Sequence, residues 1–229
     1  PLMVEMITGP LHPTEELIQE VERYIDESTG IQTIFQMQWL EEKVREYGLN
    51  PQVYDKWWHK DEYNRRLLNM VEKRVQSLER GEKSPKDFMI LGVEDFVKRL
   101  HSKGIDLYVA SGTDHPDVVR EVASLGLSSY FTRVAGAPER RVDCSKEAVL
   151  RSLIEERGLA GEELVVIGDG KVEIALGVEA GGITVGAATD EIRKHGVNPA
   201  KRVRLIGAGA HVIVGDFRNQ DQLLSYLGV

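Results

Sequence analysis

Val165-Val166-Ile167-Gly168-Asp169-Gly170-Lys171-Val172-Glu173 is an apolar run ending in a glycine, then an acid, then a second acid four residues on. The run is short, β-branched and bounded by glycine, which suits a strand buried in a parallel sheet. Gly170 permits a sharp exit, and the spacing from Lys171 to Ala180 predicts a helix. Asp169 therefore sits at the carboxyl end of a strand, where open α/β sheets bind ligands. Two carboxylates there are hard oxygen ligands of the kind Mg²⁺ takes. An acid in this position also serves as the cap of a following helix, and the segment alone leaves both readings open.

Around this stretch, from Pro85 on, helices and strands alternate. Val93 to Leu100 reads as a helix closed by Gly104, Leu107 to Ala110 as a strand, and Pro116 to Leu125 as a helix closed by Gly126. Val134 to Gly136 is a short strand and Lys146 to Arg157 a helix, followed by the strand already quoted. Ile183 to Val185 and His211 to Val214 complete the strands before a closing helix from Gln220 to Leu227. This order implies right-handed crossovers and a parallel sheet covered by helices, an α/β, Rossmann-like core.

Residues 14–84 follow another rule, with apolar positions at helical spacing throughout. Thr14 opens a helix carrying Leu17, Ile18, Val21 and Ile25 on one face. Ile34, Trp39 and Val44 belong to a second, ended by Gly48, and a third runs from Asp61 through Leu67 and Val75 to the stop at Arg80-Gly81. The chain thus divides into a connecting segment (1–13), a helical domain (14–84) and an α/β core (85–229). Leu2 to Ile7 reads as the tail of a helix.

Bulk properties narrow the function classes. A chain of 229 residues buries a sizeable core. The net charge is −8 with basic residues scattered among acidic ones, so no basic stripe offers to neutralise a nucleic-acid backbone. A single cysteine, Cys144, forms no internal disulfide and fits a reducing cytosol. No run is long and apolar enough to span a membrane. The expectation is a cytoplasmic protein with no nucleic-acid or membrane partner.

Further polar positions fall at element ends. The strand Leu107-Tyr108-Val109-Ala110 leads into Ser111-Gly112-Thr113, where a hydroxyl and freed N–H groups make a phosphate cradle or, more plainly, a helix cap. Lys146 opens the next helix, placed to balance anionic charge or to lie solvated at the surface.

The order of hydroxyl, lysine and paired acids resembles the haloacid dehalogenase superfamily, chiefly its phosphatase branch of phosphoglycolate phosphatase and β-phosphoglucomutase types. The resemblance runs from Val93 to Leu227, with the helical domain similar to the family's inserted helical cap. It implies that Ser111, with Gly112 and Thr113, binds the transferring phosphoryl group and that Lys146 neutralises charge on nucleophile and phosphate. It implies Asp169 as a direct Mg²⁺ ligand, with Glu173 holding the metal's water shell or positioning Lys146.

The family's first motif, an apolar strand ending Asp-x-Asp, matches nothing between Pro1 and Pro13. Asp106 opens its strand, the wrong end. Asp216 follows the last strand without a second Asp two residues on, and reads as the cap of the closing helix. The motif is expected upstream of Pro1, which leaves the chain by itself inactive. With it, the resemblance implies that the first Asp attacks phosphorus to give an aspartyl-phosphate, while Mg²⁺, Ser111 and Lys146 hold the negative charge. The second Asp then protonates the leaving alkoxide and activates water.

In Trp57-Trp58-His59-Lys60-Asp61-Glu62 with Arg65 and Arg66, the cations Lys60, Arg65 and Arg66 either reach a second anionic group of a substrate or form a solvated helix face. Six histidines without ligand spacing argue against a zinc site. Gly207-Ala208-Gly209-Ala210 precedes its strand and opens no helix, so it is no dinucleotide loop. The reading is a Mg²⁺-dependent phosphatase acting on a small phosphorylated metabolite such as a sugar phosphate, as a monomer or homodimer. A phosphomutase of the same family and a non-catalytic binding or regulatory module are the alternatives.

Overall fold

The computed structural model describes residues 2–28, 31–137, 146–159 and 161–229, without the side chains of Asp26, Glu79, Lys146 and Glu162. Cys144 lies outside the described residues. The chain forms two compact units, residues 1–76 and 77–229.

Unit 1 is helical. Helices α1 (Leu2–Thr8), α2 (Glu15–Glu27) and α3 (Thr33–Tyr47) are followed by α4 (Lys56–Glu79), whose last turn passes the unit boundary. The helical spacing of apolar residues has the expected result: Ile7, Leu17, Val21, Met37, Leu40 and Val44 interdigitate in one buried cluster. Tyr24 of α2 stacks on Trp39 of α3 with ring centroids 3.9 Å apart. Thr14 Oγ1 accepts the Leu17 N–H and so caps α2, and Gly48 ends α3 in the left-handed region at φ 60°. The sequence places the start of the third helix at Asp61, but α4 begins at Lys56. Its first turn is secured by Asp55, which accepts the Trp58 N–H, and by Glu41 of α3, which accepts the Lys56 N–H.

Unit 2 alternates as the sequence predicts. Helix α5 (Val93–Ser102) leads to strand β1 (Tyr108–Asp114), helix α6 (His115–Ser124), strand β2 (Arg133–Ala137) and helix α7 (Lys146–Arg157). Strand β3 (Val165–Gly168), helix α8 (Lys171–Glu179), strand β4 (Ile183–Ala187), helix α9 (Pro199–Gly207), strand β5 (Val212–Val214) and helix α10 (Gln220–Leu227) follow. Among the described residues the pairings between β1 and β2, β3 and β4, and β4 and β5 are parallel, which is the α/β, Rossmann-like class read from the sequence. Among the described residues the strands form two sheets, β1-β2 and β3-β4-β5. Phe96 and Leu100 of α5, Val185 of β4, Phe217, and Leu223 and Leu224 of α10 close the core against the larger sheet.

Two details differ from the sequence reading. Strand β3 is not buried on both faces: Val166 is covered, but Val165 and Ile167 are each 37% exposed. Helix α9 was missed, although Asn198 and Pro199 are its N-cap and first residue, a regular helix start. Gly207 closes that helix and Gly209 takes φ 95° before β5, so the Gly-Ala-Gly-Ala segment is a helix end.

Candidate active site

At the β3 exit the chain turns into α8 within two residues. Glu173, at the third position of α8, folds back so that its Oε1 accepts the Gly170 N–H at 2.9 Å. That bond satisfies one of the donors that every helix start leaves over. The fold-back needs glycine behind it, because a Cβ on Gly168 would lie 2.2 Å from the Glu173 Cγ. Glu173 is consequently buried, with 3% of its surface exposed. Capping is thus done by Glu173, and Asp169 is spared: Gly170 occupies the cap position, and the Asp169 side chain is 57% exposed.

The partner of Asp169 comes from α9. Lys201 Nζ donates to Asp169 Oδ2 at 3.1 Å and to Glu191 Oε1 in the loop after β4. The lysine is only 15% exposed, and its backbone N–H is held by the Asn198 side chain at 3.1 Å. Burial works against its charge, but the hydrogen bond to Glu191 and the charge of Asp169 outweigh it and lift its pKa above the ordinary lysine value.

The other candidate segment is drawn out where the β3 exit is sharp. The sequence ends its strand at Ala110, but β1 continues to Asp114 through a bulge: Ala110 pairs with Ala135 and Asp114 with Ala137. Ser111, Gly112 and Thr113 therefore stand opposite the single residue Gly136. A Cβ on Gly136 would come within 2.6 Å of His115 Cα and 2.8 Å of the Thr113 carbonyl oxygen, so only glycine lets β2 lie this close. Ser111 Oγ accepts the Thr113 N–H at 3.1 Å, which leaves its O–H free to donate. The α6 cap position belongs to Asp114 and not to Ser111.

The structure thus joins Asp169 with Lys201 and Glu191, and Glu173 with the turn that carries Asp169. Among the described residues no hydrogen bond or ion pair links Ser111 to Asp169. Lys146 is the first residue of α7, as the sequence predicts, while its side chain lies outside the described residues. Asp216 is not the cap of α10, a position held by Asn219. It accepts the N–H groups of Gly196 and Arg218 and pairs with the Arg218 guanidinium, and that pairing holds its pKa down to about 2.

The family model for haloacid dehalogenase-like hydrolases matches residues 8–181. The chain belongs to this family. A phosphoglycolate phosphatase from Pectobacterium atrosepticum is 28% identical over 98 residues, 43% of this chain and 42% of that protein. A 5′-nucleotidase from Pseudomonas aeruginosa is 31% identical over 112 residues, 45% of this chain and 49% of that protein. The chain thus spans less than half the length of the curated relatives it matches. A β-phosphoglucomutase structure from Clostridium difficile shares the fold with a TM-score of 0.59 at 14% identity, covering 90% of this chain and 82% of that one.

In this haloacid dehalogenase-like chain the cations singled out in unit 1 are already engaged. Arg65 and Arg66 both pair with Glu62, and Arg66 also forms two bonds of 2.8 Å to Glu5. Lys60 lies over the Trp57 ring at 6.0 Å. Trp58 stacks on Tyr54, and beside them His59 is buried with neither ring nitrogen hydrogen-bonded among the described residues, and burial lowers its pKa. Lys201 and Glu191 were missed because they lie in and before the unread α9. The Asn198-Pro199 start signal was the one clue to that helix, and nothing in the sequence pairs either residue with Asp169.

Proposed function

We propose that this chain carries the phosphate- and metal-binding part of a Mg²⁺-dependent phosphohydrolase that acts on a small phosphorylated metabolite, of the sugar phosphate class. The observation that carries this reading is Asp169: an exposed carboxylate at the end of a parallel strand, not used to cap the helix behind it. Such a group suits Mg²⁺, which takes one or two carboxylates and fills its remaining positions with water and substrate phosphate oxygens. Asp169 would hold the ion directly, and Glu173, fixed on Gly170, would support the turn behind it. Bound there, the ion would neutralise charge developing on the phosphoryl oxygens.

The rest of the chemistry falls to the chain. The Ser111 O–H donates to a phosphoryl oxygen, with the bulged backbone about Thr113 fixing its direction. Lys146, at the start of α7, supplies a positive charge to the same group. The nucleophilic Asp and the acid–base Asp of this chemistry would come from a further strand, with an Asp-x-Asp at its end. The sheets support this: β1, which carries Ser111, pairs only with β2, and β3, which leads to Asp169, pairs only with β4 among the described residues. Each of the two strands thus keeps one edge on which a parallel neighbour would complete the ladder. In this reading unit 1 is the inserted cap of the family.

The test is phosphate release from p-nitrophenyl phosphate and a panel of sugar phosphates by the full-length protein, with and without Mg²⁺. Release should require Mg²⁺ and fall by at least about 100-fold in Asp169→Asn and about 10- to 100-fold in Ser111→Ala. Metal-independent release, or an Asp169→Asn variant of full activity, would sink the reading. Isomerised sugar phosphate in place of free phosphate would make the protein a mutase.

A further inference from the structure

We propose that Lys201 is a built-in counter-cation for Asp169, which a divalent metal must displace in order to bind; this rests on the metal reading of Asp169 given above. A lysine in the first turn of a helix is in an unfavourable place, because the positive end of the helix dipole lies there and attracts anions. Lys201 is the third residue of α9 and nevertheless has most of its surface buried. Its ammonium is retained there by two carboxylates reached from different elements, Asp169 after β3 and Glu191 after β4. One of them is the oxygen donor proposed for the metal. Lys201 holds only Oδ2, but a metal on the same carboxylate and the ammonium would repel each other at that short range, which favours release of the lysine when the metal binds.

Glu191 makes that exchange cheap. When the metal takes Asp169, the Lys201 ammonium keeps a carboxylate partner and is not left buried and unpaired. The backbone of α9 need not move, since the Lys201 N–H stays on Asn198 and only the long side chain swings. The pair therefore protects Asp169 from standing as a lone anion when metal is scarce, and it lowers the affinity for metal.

Mn²⁺ binding by the full-length protein, followed through the electron paramagnetic resonance of the free ion, tests this without reference to activity. Lys201→Met should bind Mn²⁺ more tightly than wild type by about threefold to tenfold, the scale of one partly buried ion pair. Arg202→Met removes the adjacent charge on the same helix and should change the affinity by less than about twofold, since an exposed charge is screened. A second readout uses the unaltered protein: saturating Mg²⁺ should raise the rate of reductive methylation at Lys201, read by peptide mass, by at least about threefold as the amine is released. Equal or weaker binding by Lys201→Met, or labelling indifferent to Mg²⁺, while Asp169→Asn no longer binds Mn²⁺, would overturn the counter-cation and leave the metal reading intact. An Asp169→Asn variant that binds Mn²⁺ like wild type would overturn both.

Discussion

Val165-Val166-Ile167-Gly168-Asp169 and Val212-Ile213-Val214-Gly215-Asp216 are nearly the same peptide, each leaving a parallel strand through glycine into an acid. Their acids have opposite fates. Asp216 is spent on its own turn, with two backbone N–H groups and Arg218 on its oxygens and 11% of its side chain exposed. Among the described residues Asp169 serves no turn, and its hydrogen-bonding partner there, Lys201, comes from an element 32 residues away. The difference arises after the acid. Gly170-Lys171-Val172-Glu173 restarts a helix at once and brings its own cap in Glu173, whereas Phe217-Arg218-Asn219 must first make a bend, and Asp216 is what secures it. A strand, a glycine and an acid therefore do not fix the fate of the carboxylate; whether a competing cap releases it does.

The glycines should separate the two exits most strongly. A Cβ at Gly215 would come 2.6 Å from the Gly196 carbonyl carbon and 2.9 Å from the Val197 nitrogen, both backbone atoms. Gly215→Ala should cost about 2–3 kcal/mol in urea denaturation, because neither neighbour yields without shifting the chain. At Gly168 the obstacle is the Glu173 side chain. Gly168→Ala should cost only about 1 kcal/mol, the cap bond lost as that side chain swings aside. Equal costs would mean that the two turns are held in the same way.

Asp216 and Glu173 test the same contrast at the level of the caps. A carboxyl held at about 2 in the folded chain, against an ordinary 3.8, adds stability that is complete above about pH 4 and is lost as the pH falls through about 2. Asp216→Asn should therefore cost about 1–2 kcal/mol at pH 7, and its deficit in urea titrations should shrink toward zero near pH 2. Glu173→Ala leaves the Gly170 N–H without its acceptor and should cost about 1–2 kcal/mol. Glu173→Gln keeps an acceptor oxygen and should cost less than about half of that. A Gln variant as unstable as the Ala variant would show that the charge of Glu173, and not its cap bond, holds the turn.

Most of unit 2 was legible because its signals are local. Strand β3 and helices α7 and α8 appear within a residue or so of where periodicity puts them, and Gly104 and Gly126 end their elements at positive φ. What local pattern cannot express is which of two equivalent acids a turn will consume. It also cannot express the bulge at Ser111, which depends on Gly136 of another strand, where an added Cβ would lie 2.6 Å from His115 Cα. Lys201 was hidden for the same reason: its partner Asp169 lies on a different element, and ion pairs of that kind leave no periodic trace.

The smallest effect expected is the most informative about Asp169. Asp169→Asn removes one partner of Lys201, but the ammonium keeps Glu191, and the helix behind keeps its Glu173 cap. Among the described residues no backbone N–H depends on the lost charge, in contrast to Asp216. Its stability by urea denaturation at pH 7 should stay within about 0.5 kcal/mol of wild type, as for a partly exposed ion pair. A loss comparable to that of Asp216→Asn would make Asp169 a second structural acid and erase the distinction between the two exits. A near-zero change combined with lost Mn²⁺ binding fits only a carboxylate that the fold does not need and a ligand does.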